Sequence, residues 1–68
     1  MSIGYENILI GVEGEENKYI KTVTGGTFEL GERAEAQVFS NPSAYETIQS
    51  LQPENPDTKF LIFNADVI

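Results

Sequence analysis

Carboxylates are the most abundant side chains of this sequence that could take part in chemistry near neutral pH. The 68 residues contain 11 Asp and Glu, but they contain no histidine and no cysteine. Ser-His-Asp and Cys-His catalytic sets are therefore excluded, and a zinc site would lack both of its usual ligand types. Two carboxylates could act as acid and base, as in glycosidases, but that reaction needs a deep cleft that a domain of this size rarely has. We therefore expect a protein that is not an enzyme and uses no cofactor.

Six of the carboxylates form two clusters along the chain. The first cluster is Glu13, Glu15 and Glu16 around Gly14, and the second is Glu29, Glu32 and Glu35. Oxygen ligands suit Mg²⁺ or Ca²⁺, but the spacing in the first cluster is not that of an EF-hand loop. No glycine-rich phosphate-binding pattern is present either. The sequence accordingly predicts no metal site, and it leaves binding to another molecule as a use for these clusters.

Regularly spaced carboxylates are one way to occupy a groove that is built for nucleic acid. Alternate residues of a strand stand ~6.6 Å apart, and successive phosphates of one nucleic-acid strand are roughly 6–7 Å apart through space. We therefore expect the six glutamates to form an acidic face that binds a protein partner with a basic surface. The alternative is that solvated hairpin tips collect charge, which then serves only solubility.

Tyrosines are the other candidates for binding a partner. Tyr5, Tyr19 and Tyr45 combine an apolar ring with a polar hydroxyl, which suits an interface. The four phenylalanines are expected in the core instead. The acidic face is the first hypothesis for the binding surface, and the tyrosines are the second.

The charge balance limits the possible partners and location. With only four Lys and Arg and a net charge of −7, the chain is not expected to bind nucleic acid or an anionic membrane directly. The longest apolar run, residues 60–63, is far shorter than the ~20 residues of a membrane span. The chain shows no secretory signal and has no cysteine for disulfides, so the expected location is cytoplasmic.

The glycines lie in the first half of the chain and the prolines in the second, which predicts strands first and a helix later. Alternating apolar residues predict strands over residues 5–13, 18–24 and 27–30, with Gly25-Gly26 as a tight turn. On the second strand, Tyr19, Lys21 and Val23 are expected on one face, and Ile20, Thr22 and Thr24 on the other. Residues 35–39 are expected to be extended, and a helix over residues 32–37 is the alternative.

A helix is predicted to start within residues 40–43, with Asn41 as its cap and Pro42 at the first helical position. Its apolar stripe is Ala44, Tyr45, Ile48 and Leu51, which indicates about ten helical residues before Pro53. Residues 59–68 form the predicted last strand. Because this strand is apolar on both faces, a central position in the sheet is expected.

These elements predict a single α+β domain over residues 1–68. Its small antiparallel β-sheet has roughly three to five strands in the order β-β-β-(β)-α-β, with one helix packed on one face. A domain of this size has a marginal core. Together with the apolar last strand, that favours a homodimer formed by sheet pairing.

The stretch from Ala36 to Ile48 contains Ala36-Gln37-Val38-Phe39-Ser40, and Phe60-Leu61-Ile62-Phe63 follows near the end of the chain. This arrangement resembles small acidic bacteriophage accessory proteins, in which an A-x-V-F-S strand end leads into a capped helix and a final strand. The resemblance covers about half of the chain and assigns no role to any residue. It implies an anti-defence protein of the anti-CRISPR kind, acting in the cytoplasm of the host cell.

The expected function is therefore a non-enzymatic inhibitor that covers a basic, nucleic-acid-binding surface of another protein. The alternative is a small self-assembling structural or regulatory module, such as a virion or accessory component, whose acidity serves only solubility.

Overall fold

A computed structural model describes residues 7–66. Its elements are β1 (Ile8–Val12), β2 (Tyr19–Thr24), β3 (Thr27–Gly31), a 3₁₀ turn (Arg33–Glu35), α1 (Asn41–Leu51) and β4 (Phe60–Asn64). The four strands form one antiparallel sheet in the order β3-β2-β1-β4, and the helix packs on one face. This confirms the predicted α+β fold. Tyr5, Val67 and Ile68, which belong to the predicted first and last strands, lie outside the described residues.

The sheet is split between β1 and β2. These strands pair at Gly11 and Tyr19, and farther along a segment over residues 37–39 lies between them. Phe39 exchanges two 2.8 Å backbone hydrogen bonds with Ile8, and the Gln37 N–H donates to the Ile20 carbonyl at 3.0 Å. The region predicted as either strand or helix is therefore a 3₁₀ turn followed by an extended segment.

A bulge in β2 changes which of its side chains share a face. Ile20 pairs with Leu30 and Thr22 pairs with Glu29, so β2 has one more residue here than β3. The extra residue brings Val23 to the face of Ile20, where it packs against the main core. The prediction that Val23 shares a face with Tyr19 was wrong, because strict alternation ends at a bulge.

The last strand lies at an edge of the sheet. β4 pairs with β1 alone among the described strands, so the predicted central position was wrong. The two apolar faces of β4 are explained by two separate contacts instead of by a central position. Phe60 packs toward the helix, whereas Phe63 packs on Tyr19 across the opposite face.

Two clusters of buried side chains hold the fold, one on each face of the sheet. The helix face carries the main cluster of Ile8, Ile10, Ile20, Phe39, Ala44 and Leu51. The opposite face, called the open face below, carries Leu9, Tyr19 and Ala65, with Ala36 and Phe63 packed against them. Phe39 closes the main cluster at the point where β1 and β2 separate.

The helix begins one residue earlier than predicted. Ser40 is the cap, since its Oγ accepts a hydrogen bond from the Ser43 N–H at 3.4 Å, and Asn41 is already helical. Pro42 is therefore the second helical residue. Ala44 and Leu51 are buried and Ile48 is half-buried, but Tyr45 is 55% exposed and does not belong to the buried stripe. A step of one residue turns a helix by about 100°, which carries Tyr45 away from the sheet.

The loop after the helix is tied to the far end of the sheet. Asn55 Nδ2 donates to the Leu51 carbonyl at 2.9 Å and to the Gly26 carbonyl at 3.1 Å. Gly26 lies in the tight turn between β2 and β3, where Gly25 has the positive φ of 60°. Asn55 therefore links the end of α1 to the β2–β3 turn, at the end of β2 away from the β1–β2 loop.

Candidate functional site

The fold brings the first glutamate cluster and Glu32 of the second cluster to the same end of the sheet. The β1–β2 loop carries the first cluster, and Glu32 follows the last residue of β3, Gly31. Because Gly31 pairs with Tyr19 at the start of β2, Glu32 emerges beside that loop. Glu16 and Glu32 line the same concave surface. We call the four residues there the acidic end: Glu13, Glu15, Glu16 and Glu32.

The local geometry of the β1–β2 loop keeps its carboxylates in solvent. The Glu15 N–H donates to the Val12 carbonyl at 3.0 Å, and the Lys18 N–H donates to the Glu15 carbonyl at 3.3 Å. Gly14 and Asn17 have φ values of 94° and 63°, which glycine and asparagine tolerate best. Backbone groups of the loop thus form hydrogen bonds with one another, and the three glutamate side chains of the loop are exposed to solvent.

The other two predicted site residues lie on the β3 side of the molecule. Glu29 is exposed on β3, where Oε1 accepts a 3.4 Å hydrogen bond from the Thr22 hydroxyl. Glu35 turns back toward its own chain, and its Oε1 accepts from the Glu32 N–H at 3.2 Å. Glu35 thus supports the 3₁₀ turn that positions Glu32, in addition to contributing charge.

Gly31 makes room for the Glu35 carboxylate. A Cβ at Gly31 would lie 2.7 Å from Glu35 Oε1 and 2.8 Å from Lys21 Cδ. The Glu35 carboxylate and the Lys21 stem therefore occupy the space that a side chain at position 31 would fill.

Three of the four basic residues of the chain lie close to the acidic end. Lys18 and Arg33 line the same concave surface as Glu16 and Glu32. The Arg33 guanidinium is directed across the open face, where Nη2 donates to the Ala65 carbonyl at 3.2 Å. Lys59 is the third, because its carbonyl accepts a 2.9 Å hydrogen bond from the Glu13 N–H. The four glutamates of the acidic end therefore have three basic residues around them.

An apolar surface, called the aromatic floor below, lies next to the β1–β2 loop on the open face. The concave surface there is lined by the loop together with Tyr19, Leu61 and Phe63. The Tyr19 and Phe63 rings meet edge to face, with centroids 5.5 Å apart and planes at 90°. Leu61 and Phe63 are only half-buried. The surface thus combines an acidic rim with an aromatic floor. Of the floor, the sequence predicted only Tyr19 as a binding residue and placed Phe63 in the core.

Tyrosines do not form one patch among the described residues. Tyr19 is 9% exposed, and its ring packs in the cluster of the open face. Tyr45 is exposed on α1, which covers the other face of the sheet. Tyr19 belongs to the floor beside the acidic rim, whereas Tyr45 lies apart from it.

Gly11 is the residue that allows the floor to form. A Cβ at Gly11 would lie 2.7 Å from Phe63 Cε2, so Gly11→Ala must displace the Phe63 ring from Tyr19. We expect this substitution to lower the free energy of unfolding by about 1–3 kcal/mol, measured by urea denaturation. In a double-mutant cycle, Phe63→Leu should remove much of the added cost, because the clashing ring atoms are gone. Strictly additive effects would contradict the proposed clash.

No group of three or more Asp and Glu within residues 7–66 is arranged to hold a metal ion. None of the helices in that part of the chain is long and apolar enough to cross a membrane. Comparisons with protein-family models, with curated proteins and with solved structures find no match to this chain.

Proposed function

We propose that this chain is a non-enzymatic inhibitor whose acidic end binds the basic, nucleic-acid-binding surface of another protein. The observation that carries the proposal is that four exposed glutamates from separate segments share one end of the sheet. Carboxylates grouped in this way attract a basic surface over long range and speed the encounter. The net charge of −7 adds to that attraction.

The aromatic floor fits the same kind of partner. Lys and Arg side chains have apolar stems that lie well along exposed apolar surface, while their charged heads stay near carboxylates. An Arg guanidinium can also interact with the face of an aromatic ring. The half-buried Leu61 and Phe63 offer the apolar surface, and the β1–β2 loop offers the carboxylates. A basic side chain of the partner would thus be bound by both parts of the site.

In the most specific form of the proposal, the chain is a phage anti-defence protein of the anti-CRISPR kind and acts in the host cytoplasm. Its support is the small acidic chain and the resemblance of residues 36–48 and 60–63 to phage accessory proteins. The target would be a protein that holds DNA or RNA in a basic channel, since such a channel is the surface that an acidic face can occupy.

A self-assembling structural or regulatory module is the second candidate. In that case the acidic residues serve solubility, and partner binding would not depend on them. The two functions differ in how strongly salt and nucleic acid affect capture of a partner.

The test is capture of proteins from a bacterial lysate by the immobilised chain, followed by elution with duplex DNA or single-stranded RNA. We expect a nucleic-acid-binding protein to be retained at low salt and to be released by the nucleic acid, because both ligands use one basic surface. Release of the same protein by high salt is expected as well, since exposed charges are screened beyond about 8–10 Å. A captured protein that is released neither by nucleic acid nor by high salt would contradict the proposal.

A further inference from the structure

We infer that two copies of this chain join through the free edges of their β4 strands, in antiparallel orientation. The pairing with β1 shows which backbone groups of β4 are already used. The Glu13 N–H donates to the Lys59 carbonyl at 2.9 Å, and the Ala65 N–H donates to the Asn7 carbonyl at 2.7 Å. Hydrogen-bonded positions alternate along an antiparallel pair, so the odd-numbered residues of β4 form their backbone hydrogen bonds with β1. The N–H and C=O groups of Phe60, Ile62 and Asn64 point to the other side, called the free edge below, where no strand within residues 7–66 lies.

The β4 edge lacks the usual protection against pairing. Exposed edges normally carry a lysine, a proline, an inward charge or a bulge, yet residues 60–64 contain none of these. Ile62 is 36% exposed on the helix face, and Leu61 and Phe63 are half-buried on the open face. The opposite edge of the sheet differs, since β3 carries Glu29 in its middle. β4 is thus the edge that favours a second strand.

If the two-fold axis of the dimer passes through Ile62, all five residues of β4 pair with the second copy. Ile62 then pairs with Ile62 of the second copy, and Phe60 pairs with Asn64 of the second copy, so the free backbone groups of both strands bond to one another. On the open face, Leu61 lies opposite Phe63 of the second copy. The two sheets join into one continuous sheet, and the apolar side chains of both edges are covered.

Charge favours a second copy in this orientation. Lys59 precedes β4 and Asp66 follows it, so antiparallel pairing places Lys59 of each copy beside residues 65 and 66 of the other. The β1–β2 loop lies at the Lys59 end, as the hydrogen bond from Glu13 shows. The two acidic ends are therefore kept at opposite ends of the seam between the copies, which limits repulsion and leaves both of them accessible.

The test is sedimentation of the full chain at micromolar concentration. A species of twice the 7.5 kDa chain mass is expected. Ile62→Lys should leave mainly the monomer, because the new charge lies in the centre of the joint. Val38→Lys is the matched control, since Val38 is also an exposed apolar residue but lies outside β4, and it should leave the dimer unchanged. A wild-type chain that sediments as a monomer, or assemblies larger than a dimer, would overturn the inference.

A single cysteine provides a second measurement that introduces no new charge at position 62. The natural chain has no cysteine, so Ile62→Cys introduces the sole thiol. In the inferred register the two Cα atoms at position 62 are about 5.5 Å apart, which a disulfide can bridge. Mild oxidation should therefore link most Ile62→Cys chains into covalent dimers and few Val38→Cys chains. Equal linking of the two variants would also overturn the inference.

The inference is independent of the proposed function. A monomer could still bind a basic partner through its acidic end, and a dimer could assemble without any such partner. The sedimentation and oxidation experiments contain the chain alone, so their failure would leave the proposed binding of a basic surface untouched.

Discussion

Leu51→Ala is expected to lower the free energy of unfolding by about 2–5 kcal/mol. Leu51 is the last residue of α1, its side chain is fully buried, and it packs in the main cluster with Ile8, Ile10 and Ile20. A domain of this size rarely has more than about 3–5 kcal/mol in total from its core. The variant should therefore be largely unfolded even without denaturant.

Far-ultraviolet circular dichroism during urea titration measures this effect. Ser50→Ala is the matched control, because Ser50 is exposed on the same helix turn and should lose almost no stability. Ile48→Ala should fall between the two, since Ile48 is half-buried. Coincident unfolding midpoints for Leu51→Ala and Ser50→Ala would show that the helix does not close the main core.

Local signals in the sequence predicted most elements correctly. The two consecutive glycines at 25 and 26 mark the turn between β2 and β3, and the period of Ala44, Ile48 and Leu51 marks α1. These signals depend on neighbours in the chain, so they survive in a single sequence. The position of β4 depends on pairing with residues of β1 that are 48 to 56 positions away in the chain, and the sequence holds no comparable signal for such a pairing.

Irregular features were the other source of error. The bulge in β2 shifts Val23 to the helix face, and insertion of residues 37–39 splits the sheet. Neither feature follows from apolar periodicity, since both lie in the backbone pairing between segments, which the pattern of side chains does not specify. The exposure of Tyr45 has a different origin, since one residue step from the buried Ala44 turns the helix by about 100°.

The candidate site likewise combines features that are visible in the sequence with features that depend on the pairing of distant segments. Its acidic clusters are visible in the sequence, but the proximity of Glu16 and Glu32 depends on the register of Tyr19 with Gly31. The aromatic floor depends on the pairing of β4 with β1, which brings Phe63 over Gly11. A glycine in the middle of a strand was the one available signal, since it often marks a close approach by another group.

Charge reversal at the tip of the β1–β2 loop is expected to weaken partner binding strongly. Glu15→Lys with Glu16→Lys replaces two exposed carboxylates of the acidic end. Long-range attraction raises association rates by roughly 10- to 1000-fold, so most of the loss should appear in the association rate. Folding should be nearly unaffected, because both side chains are in solvent.

A charge-matched variant separates this local effect from the overall acidity. Glu46→Lys with Glu54→Lys changes two exposed glutamates on α1 and in the loop beside the β2–β3 turn, away from the acidic end. Each reversal adds two charges, so both double variants carry −3 in place of −7. A function of the acidic end predicts that only the first pair weakens binding, whereas a nonspecific effect of net charge predicts equal losses.

The most direct test is the affinity of the captured nucleic-acid-binding protein for the wild-type chain and these two variants across a salt series. At low salt, we predict that Glu15→Lys with Glu16→Lys weakens binding at least about tenfold. Glu46→Lys with Glu54→Lys should bind within about twofold of the wild type. The difference between the two double variants should shrink as salt screens the charges. Equal affinities for all three proteins, with no dependence on salt, would contradict the account.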